Sequence, residues 1–175
     1  MMPAIETGIS ESEAVELERL ARRRTVIEFG AWLGFSSVVL GRVARRLVSV
    51  DWHRGDEHAG RRDTIEAYFT HLTEYEVRDS VIAIVGRFED VAPLLGAGQF
   101  EMGFLDGLHD RASVLRDLDL LDRLLGRSAT LAVHDYDRWL GDVRFEVSDA
   151  LGEWLPTHLD WRLDRVVESL AVLRR

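Results

Sequence analysis

The 175-residue chain contains no cysteine, no lysine and no asparagine, and only three prolines. Without cysteine there is no disulfide, no thiolate nucleophile and no cysteine-ligated zinc or iron–sulfur centre, while the redox compartment stays open. All 22 basic residues are arginine, a pattern of codon bias rather than of chemistry. Positive charge is scarce: 31 acids leave a net charge of −9, which argues against nucleic acid, a partner that demands a concentrated basic surface. The one basic run, Arg22-Arg23-Arg24, reads as a solvated helix end favoured by the helix dipole. No apolar run approaches the roughly 18 residues of a membrane span, and the first residues lack the basic and apolar regions of a signal peptide. Neither nucleic acid nor membrane is expected as a partner, and a cytoplasmic location is the default.

What is present describes a folded domain. Hydrophobic residues make up 46% and charged residues 30% of the chain, which excludes disorder and fibres. The length suits one domain, 1–175, with residues 1–24 as an N-terminal helix leading into a sheet. Ser10 and Glu13 fit a capping box, and Ala14, Leu17 and Leu20 supply the apolar stripe of a helix over about 11–23. Strand patterns follow at Thr25–Phe29, Leu47–Val50, Val81–Val85, Phe100–Leu105 and Ala129–Val133. Between them, helical spacing predicts helices over Ser36–Arg46, around Ile65–Leu72, around Val91–Leu95, over Arg111–Leu125 and over about 142–154. Two last strand-like runs, Asp160–Val166 and Ser169–Leu173, are joined too tightly for a parallel crossover and must form an antiparallel hairpin. The fold class is therefore α/β: a three-layer, Rossmann-like sandwich with a mostly parallel seven-stranded sheet and an antiparallel C-terminal hairpin strand.

The chain is organised around Val26–Ser37, where an apolar run ends in Glu28, the backbone turns on Gly30 and Gly34, and Ser36-Ser37 open a helix. Glycines let backbone approach a ligand, and the first helical turn offers unpaired N–H groups. The pattern is not a dinucleotide fingerprint, because Trp32 and Phe35 stand where glycines are needed, and not a P-loop, because no lysine follows Gly34. In an open parallel sheet, ligands sit beyond the carboxyl ends of the strands. The polar clusters gather at those ends: Glu28 and Gly30, Asp51, Gly86 and Arg87, Asp106 and His109, His134 and Asp135. Asp51, at the tip of the second strand, is placed to bind ribose hydroxyls, with a helix or turn cap as the competing reading. His53 and His58 lie five residues apart in a loop with no third ligand and read as solvated or lid residues.

The remaining motif, E-x-G-x-x-x-G-x-S, resembles the first motif of the S-adenosylmethionine-dependent methyltransferases of Rossmann-like (class I) fold. Its Glu-x-Gly-x-Trp-x-Gly form is similar to the branch containing small-molecule and sugar O-methyltransferases. Phe100–Gly107 followed by His109 resembles that family's F-D-x-x-F-I-D-G-x-H segment, and His134-Asp135-Tyr136 its H-D-Y or D-D-Y segment. The resemblance implies transfer of a methyl group from S-adenosylmethionine to a small-molecule or sugar hydroxyl. Carried over by position, Glu28, Gly30 and Gly34 would hold the methionine part of the cofactor, with Trp32, Ser36 and Trp52 beside it. Asp51 would take the ribose, Arg87 and Phe88 would border adenine, and Asp106 would lie near the sulfonium, facing His134 and Asp135.

Methyl transfer asks the protein to align two reactants and remove a proton from the acceptor. A histidine suits the second task; His109 and His134 are the candidates, His109 preferred, with a satisfied structural histidine the competing reading of each. Asp106, Asp135 and His134 could instead hold magnesium, as relatives with paired aspartates do. This chain has His134 where those carry the first aspartate, and Leu108 where some carry another acid. Trp139, Tyr136 and the Trp52 loop could wall the acceptor side, completed by short loops or by the second subunit of a homodimer. Two rivals remain: an NAD-dependent oxidoreductase, and a non-catalytic binding or dimer module of the same fold.

Overall fold

A computed structural model describes residues 2–55, 60 and 62–175. In chain order the elements are α1 (Glu11–Ala21), β1 (Thr25–Phe29), α2 (Phe35–Gly41), β2 (Arg46–Asp51), α3 (Ile65–Glu74), β3 (Val81–Val85), α4 (Phe88–Val91) and β4 (Phe100–Leu105). They continue with α5 (Arg111–Leu124), β5 (Leu125–Val133), β6 (Trp139–Leu140), β7 (Val143–Arg144), α6 (Val147–Trp154), β8 (Arg162–Val167) and β9 (Leu170–Arg174). Seven strands form one sheet in the order β3-β2-β1-β4-β5-β9-β8. The first five are parallel, β9 runs antiparallel to β5, and β8 pairs antiparallel with β9. This is the Rossmann-like sandwich with an antiparallel C-terminal strand that the sequence pattern predicts.

Strand alternation sends each side chain to one of two cores. Ile27, Phe29, Val48 and Val50 face α5 and α6, while Val26, Leu47, Met102 and Phe104 face α1, α2 and α3. Both faces are covered, which is why β1 reads as a continuous apolar run broken only by Glu28. β1 neighbours both β2 and β4, so successive crossovers leave it in opposite directions and open a crevice at its carboxyl end. Asp51, Asp106, His109, His134 and Asp135 are hung around that crevice.

Several boundaries differ from the pattern. The second helix ends at Gly41 rather than Arg46: Arg45 N–H turns to the Arg24 carbonyl at 2.9 Å, and Arg23 N–H bonds the Val43 carbonyl at 2.8 Å. Val43 and Ala44 still pack on the core, so their spacing imitates a helix that has already stopped. Residues 142–146 are not helical either. Gly141 (φ +59°) turns a two-residue hairpin, β6–β7, whose Trp139, Leu140 and Val143 point outward. The helix over Arg111–Leu125 ends at Leu124, and β5 starts directly at Leu125, paired with Phe100, four residues before the predicted strand. The short helix begins at Phe88, and its predicted part continues as a 3-10 turn, Ala92–Leu94.

Candidate functional site

The crevice holds a cavity of about 690 Å³ above the carboxyl ends of β1, β2, β4 and β5. Its floor is the glycine loop. Gly30 has φ +93°, and a Cβ there would sit 1.9 Å from the Asp106 carbonyl oxygen, so only glycine lets the β1 and β4 loops touch. Gly34, also at φ +93°, starts α2 against the ring of Tyr68. Asp51 organises the same loop: its Oδ2 accepts from Ala31 N–H (2.6 Å) and Trp32 N–H (2.8 Å), its Oδ1 from His53 N–H (2.6 Å). A carboxylate offers about four lone-pair sites, which leaves one acceptor position on Asp51 for a ligand. The turn-capping reading is what these contacts show, and it leaves room for the ligand-binding one.

The loop side walls come from Trp52, half exposed, with the Arg87 guanidinium 5.0 Å over its ring. Phe88 stacks on Phe29 with centroids 4.6 Å apart. Trp32, Ser36, Asp51, Trp52, Arg87, Phe88, Asp106, His109, His134 and Asp135 all line the cavity. Glu28 and Gly34 do not. Glu28 is wholly buried beneath the loop, where it accepts from the Ser37 hydroxyl. Burial pushes its carboxyl up to about 7 against the pull of the serine hydroxyls. Its observed contact is with Ser37 in the first turn of α2, and it does not line the cavity where the resemblance would put the cofactor's methionine part. His53 is buried as well, with Nδ1 2.9 Å from Thr64 Oγ1 and its ring against Tyr68, a core histidine and not a solvated one. His58 lies outside the described residues.

Across the crevice stands a charged cluster. His134, with its side chain 2% exposed, places Nδ1 3.2 Å from Asp106 Oδ1 and 3.3 Å from Asp135 Oδ1, and Nε2 3.3 Å from Glu13 Oε2. Burial alone would depress such a ring; Asp106, Asp135 and Glu13 outweigh it and raise its pKa to about 12. His134 is thereby favoured in its imidazolium form between three carboxylates, which weighs against the part of general base expected of it. His109 is more open, 17% exposed, with Nε2 2.7 Å from Asp135 Oδ2 and its ring stacked on Phe145 at 4.2 Å. Burial works against its charge, but Asp106 and Asp135 raise its pKa to about 9. Asp135 carries φ +59°, a costly backbone state for a non-glycine residue. It is held by His109, His134 and Arg138, whose NH1 lies 2.7 Å away. Both aspartates are held below the usual carboxylate range because His109 and His134 offset their burial.

Sequence reasoning missed Glu13, Arg138 and Phe145. Glu13 does fill its capping box, accepting from Ser10 N–H at 2.8 Å, and that role hid its second one on His134. Arg138 also donates to the Gly8 carbonyl at 2.9 Å, which draws residues 6–9 to the cavity rim. An arginine three residues after Asp135 was the available signal.

Ligand atoms of Asp106, His134 and Asp135 lie within 4.8 Å of one another, the spacing a metal requires. The donor chemistry does not fit magnesium. Both ring nitrogens of His134 face carboxylate oxygens and so carry protons, and magnesium prefers near-octahedral oxygen ligation. The magnesium expectation is set aside on that ground.

A methyltransferase-domain family model matches residues 27–136. Solved structures share the fold. Cofactor-bound Rv0187 from MTB is 23% identical, with TM-score 0.73, covering 99% of this chain and 83% of its own. The O-methyltransferase TomG from Streptomyces achromogenes, involved in tomaymycin synthesis and solved with S-adenosylmethionine, is 21% identical, with TM-score 0.72 over 95% and 80%. A Bacillus cereus O-methyltransferase in complex with S-adenosylhomocysteine is 14% identical, with TM-score 0.70 over 99% and 84%.

Proposed function

The chain belongs to the methyltransferase-domain family, and from that premise we propose that it moves a methyl group from S-adenosylmethionine to a hydroxyl of a small molecule or sugar. The observation that carries this reading is the cavity itself. It sets a glycine loop and a ribose-height carboxylate, Asp51, on one side of Asp106, and a histidine partnered by a carboxylate, His109–Asp135, on the other.

The residues suit the cofactor. Asp51 has one acceptor position left for a ribose hydroxyl, and Phe88 and Arg87 line the cavity where adenine would lie. The Asp106 side chain, 25% exposed where His134 is 2% exposed, offers negative charge where a sulfonium would lie. S-adenosylmethionine supplies an electrophilic methyl on positive sulfur. The protein's share is to orient the acceptor and to take its proton.

We assign that proton to His109: its side chain lines the cavity, its ring stacks on Phe145, and Asp135 Oδ2 lies 2.7 Å from Nε2. Both ring nitrogens are themselves buried, so the acceptor has to displace the ring's present neighbours to reach one. Asp106 and Asp135 favour its charged form, which must give up a proton before His109 can accept one. The acceptor enters past Leu108 and Trp52, both partly exposed and apolar. A homodimer would bury Trp139, Leu140 and Val143 on the β6–β7 hairpin.

Thermal unfolding with S-adenosylmethionine, S-adenosylhomocysteine and NAD tests the reading. A ligand at a hundred times its Kd adds about 2.7 kcal/mol, which for a domain of this size raises the midpoint by roughly 5 to 11 °C. A rise with the sulfur compounds alone supports the proposal and opens an acceptor screen. A rise with NAD alone moves the oxidoreductase rival ahead, and no rise at all sinks the cofactor assignment.

A further inference from the structure

The cluster that fails to fit magnesium is complete in another way. Asp135 Oδ2 meets His109 Nε2 at 2.7 Å, and its Oδ1 meets Arg138 NH1 at 2.7 Å and His134 Nδ1 at 3.3 Å. Asp106 Oδ1 shares the same His134 nitrogen at 3.2 Å. Glu13 closes the far side of the ring, its Oε1 held in turn by Ser169 N–H (2.8 Å) and hydroxyl (2.7 Å). Three carboxylates thus meet three basic side chains. Packing two carboxylates side by side is costly unless opposite charge stands between them, and a divalent ion is one way to supply it.

We infer that Arg138 and His134 stand in the place of a divalent cation between Asp106 and Asp135, so that this site neither binds nor uses one. Two features carry the inference beyond the absence of a suitable donor. Arg138 contacts the Asp135 oxygen that a metal would need, and an ion bound there would lie against a guanidinium that cannot be deprotonated. Arg138 is also fastened from behind by the Gly8 carbonyl at 2.9 Å, so moving it aside breaks two charge-assisted contacts. The guanidinium thereby does a second thing that an ion would not: it ties the N-terminal segment, residues 6–9, to the rim of the cavity. Arg138 is a positioning residue, acting through Asp135 on His109.

The probe is manganese(II), whose six-line electron paramagnetic resonance signal is lost on binding. It reads metal occupancy without requiring methyl transfer, so its outcome is independent of the cofactor assay above. Wild-type protein, titrated in near-equimolar manganese at physiological ionic strength, is expected to leave the free-ion signal unchanged. The double variant His134→Asp, Arg138→Ser removes both cations and supplies a second aspartate, and is expected to take up one ion per chain. Arg138→Ser alone, which keeps the Glu13–His134 pair, is the fallback if the double variant does not fold; it is expected to bind more manganese than wild type. Uptake of one ion per chain by the wild type overturns the inference, and so does a folded variant with no greater uptake than wild type.

Discussion

His134 Nε2 lies 3.3 Å from Oε2 of Glu13, a residue 121 positions earlier in the chain. The contact joins the first helix to the tip of the fifth strand behind His134, which lines the cavity. It also gives Glu13 two roles with separable costs. Ser10→Ala removes only the cap and is expected to cost about 1 kcal/mol. Glu13→Ala removes the cap and leaves a buried imidazolium short of a partner, at about 3 to 5 kcal/mol. Glu13→Ala also frees the Ser169 N–H and hydroxyl, so denaturant unfolding of both variants checks the sum; equal costs would mean that the His134 and Ser169 contacts together contribute nothing.

The same pair predicts a pH window. Glu13 is held down to about 2, so its share of stability is present above its ordinary value of 4.5 and is lost as pH falls toward 2. His134 is raised to about 12, so its share is present below 6.5 and is lost as pH rises toward 12. Both are whole between these ordinary values. Glu13→Gln should therefore flatten the acid limb of the stability curve, measured by unfolding midpoints from pH 2 to 6.

Catalysis is expected to climb with pH. With His109 raised to about 9, kcat/KM should increase roughly tenfold per pH unit through neutrality and level off near that value. Asp135→Asn removes the charge that stabilises the imidazolium and should bring the bend down toward 6.5, the ordinary histidine value. His109→Gln should lose about 100- to 10,000-fold in kcat. A pH profile unmoved by Asp135→Asn would assign the limb to some other group.

Gly30→Ala tests the loop contact. The added Cβ meets the Asp106 carbonyl at 1.9 Å, and the backbone sits at φ +93°, so both space and conformation oppose it. A loss of several kcal/mol is expected, together with displacement of Asp106. A stable variant with normal ligand binding would show that the β1 and β4 loops need not touch.

The parallel strands with their antiparallel C-terminal hairpin, the one-sided placement of Asp51, Asp106, His109, His134 and Asp135, and the glycine loop were legible because each depends on local pattern or on a topological rule. What pairs with what was not. Glu13 satisfies a capping box completely, so nothing in its surroundings announces a second partner far along the chain. Val143 repeats at helical spacing yet sits on a hairpin, because Gly141 at φ +59° turns the chain first. Glu28 belongs to the loop motif, yet its side chain points under the loop, since strand alternation sends it toward Ser37 and away from the cavity. Motif position located the crevice, and side-chain direction decided which residues enter it.

Asp117, on α5, gives the last test. Its side chain is 1% exposed, Oδ1 takes the Arg116 Nε–H at 3.0 Å, and Oδ2 has no hydrogen-bond partner among the described residues. Burial pushes its carboxyl up to about 7, Arg116 only partly opposing it. The folded protein therefore holds a proton that the unfolded chain releases near 3.8, and stability must fall as pH rises between these two values. An asparagine side chain has the shape of the protonated acid and keeps an oxygen for Arg116. Asp117→Asn is expected to match wild type below the unfolded value and to gain on the order of 1 to 2 kcal/mol at pH 8, read from urea midpoints across the range. A gain of the same size at both extremes would show that the carboxylate's charge is not what costs stability there.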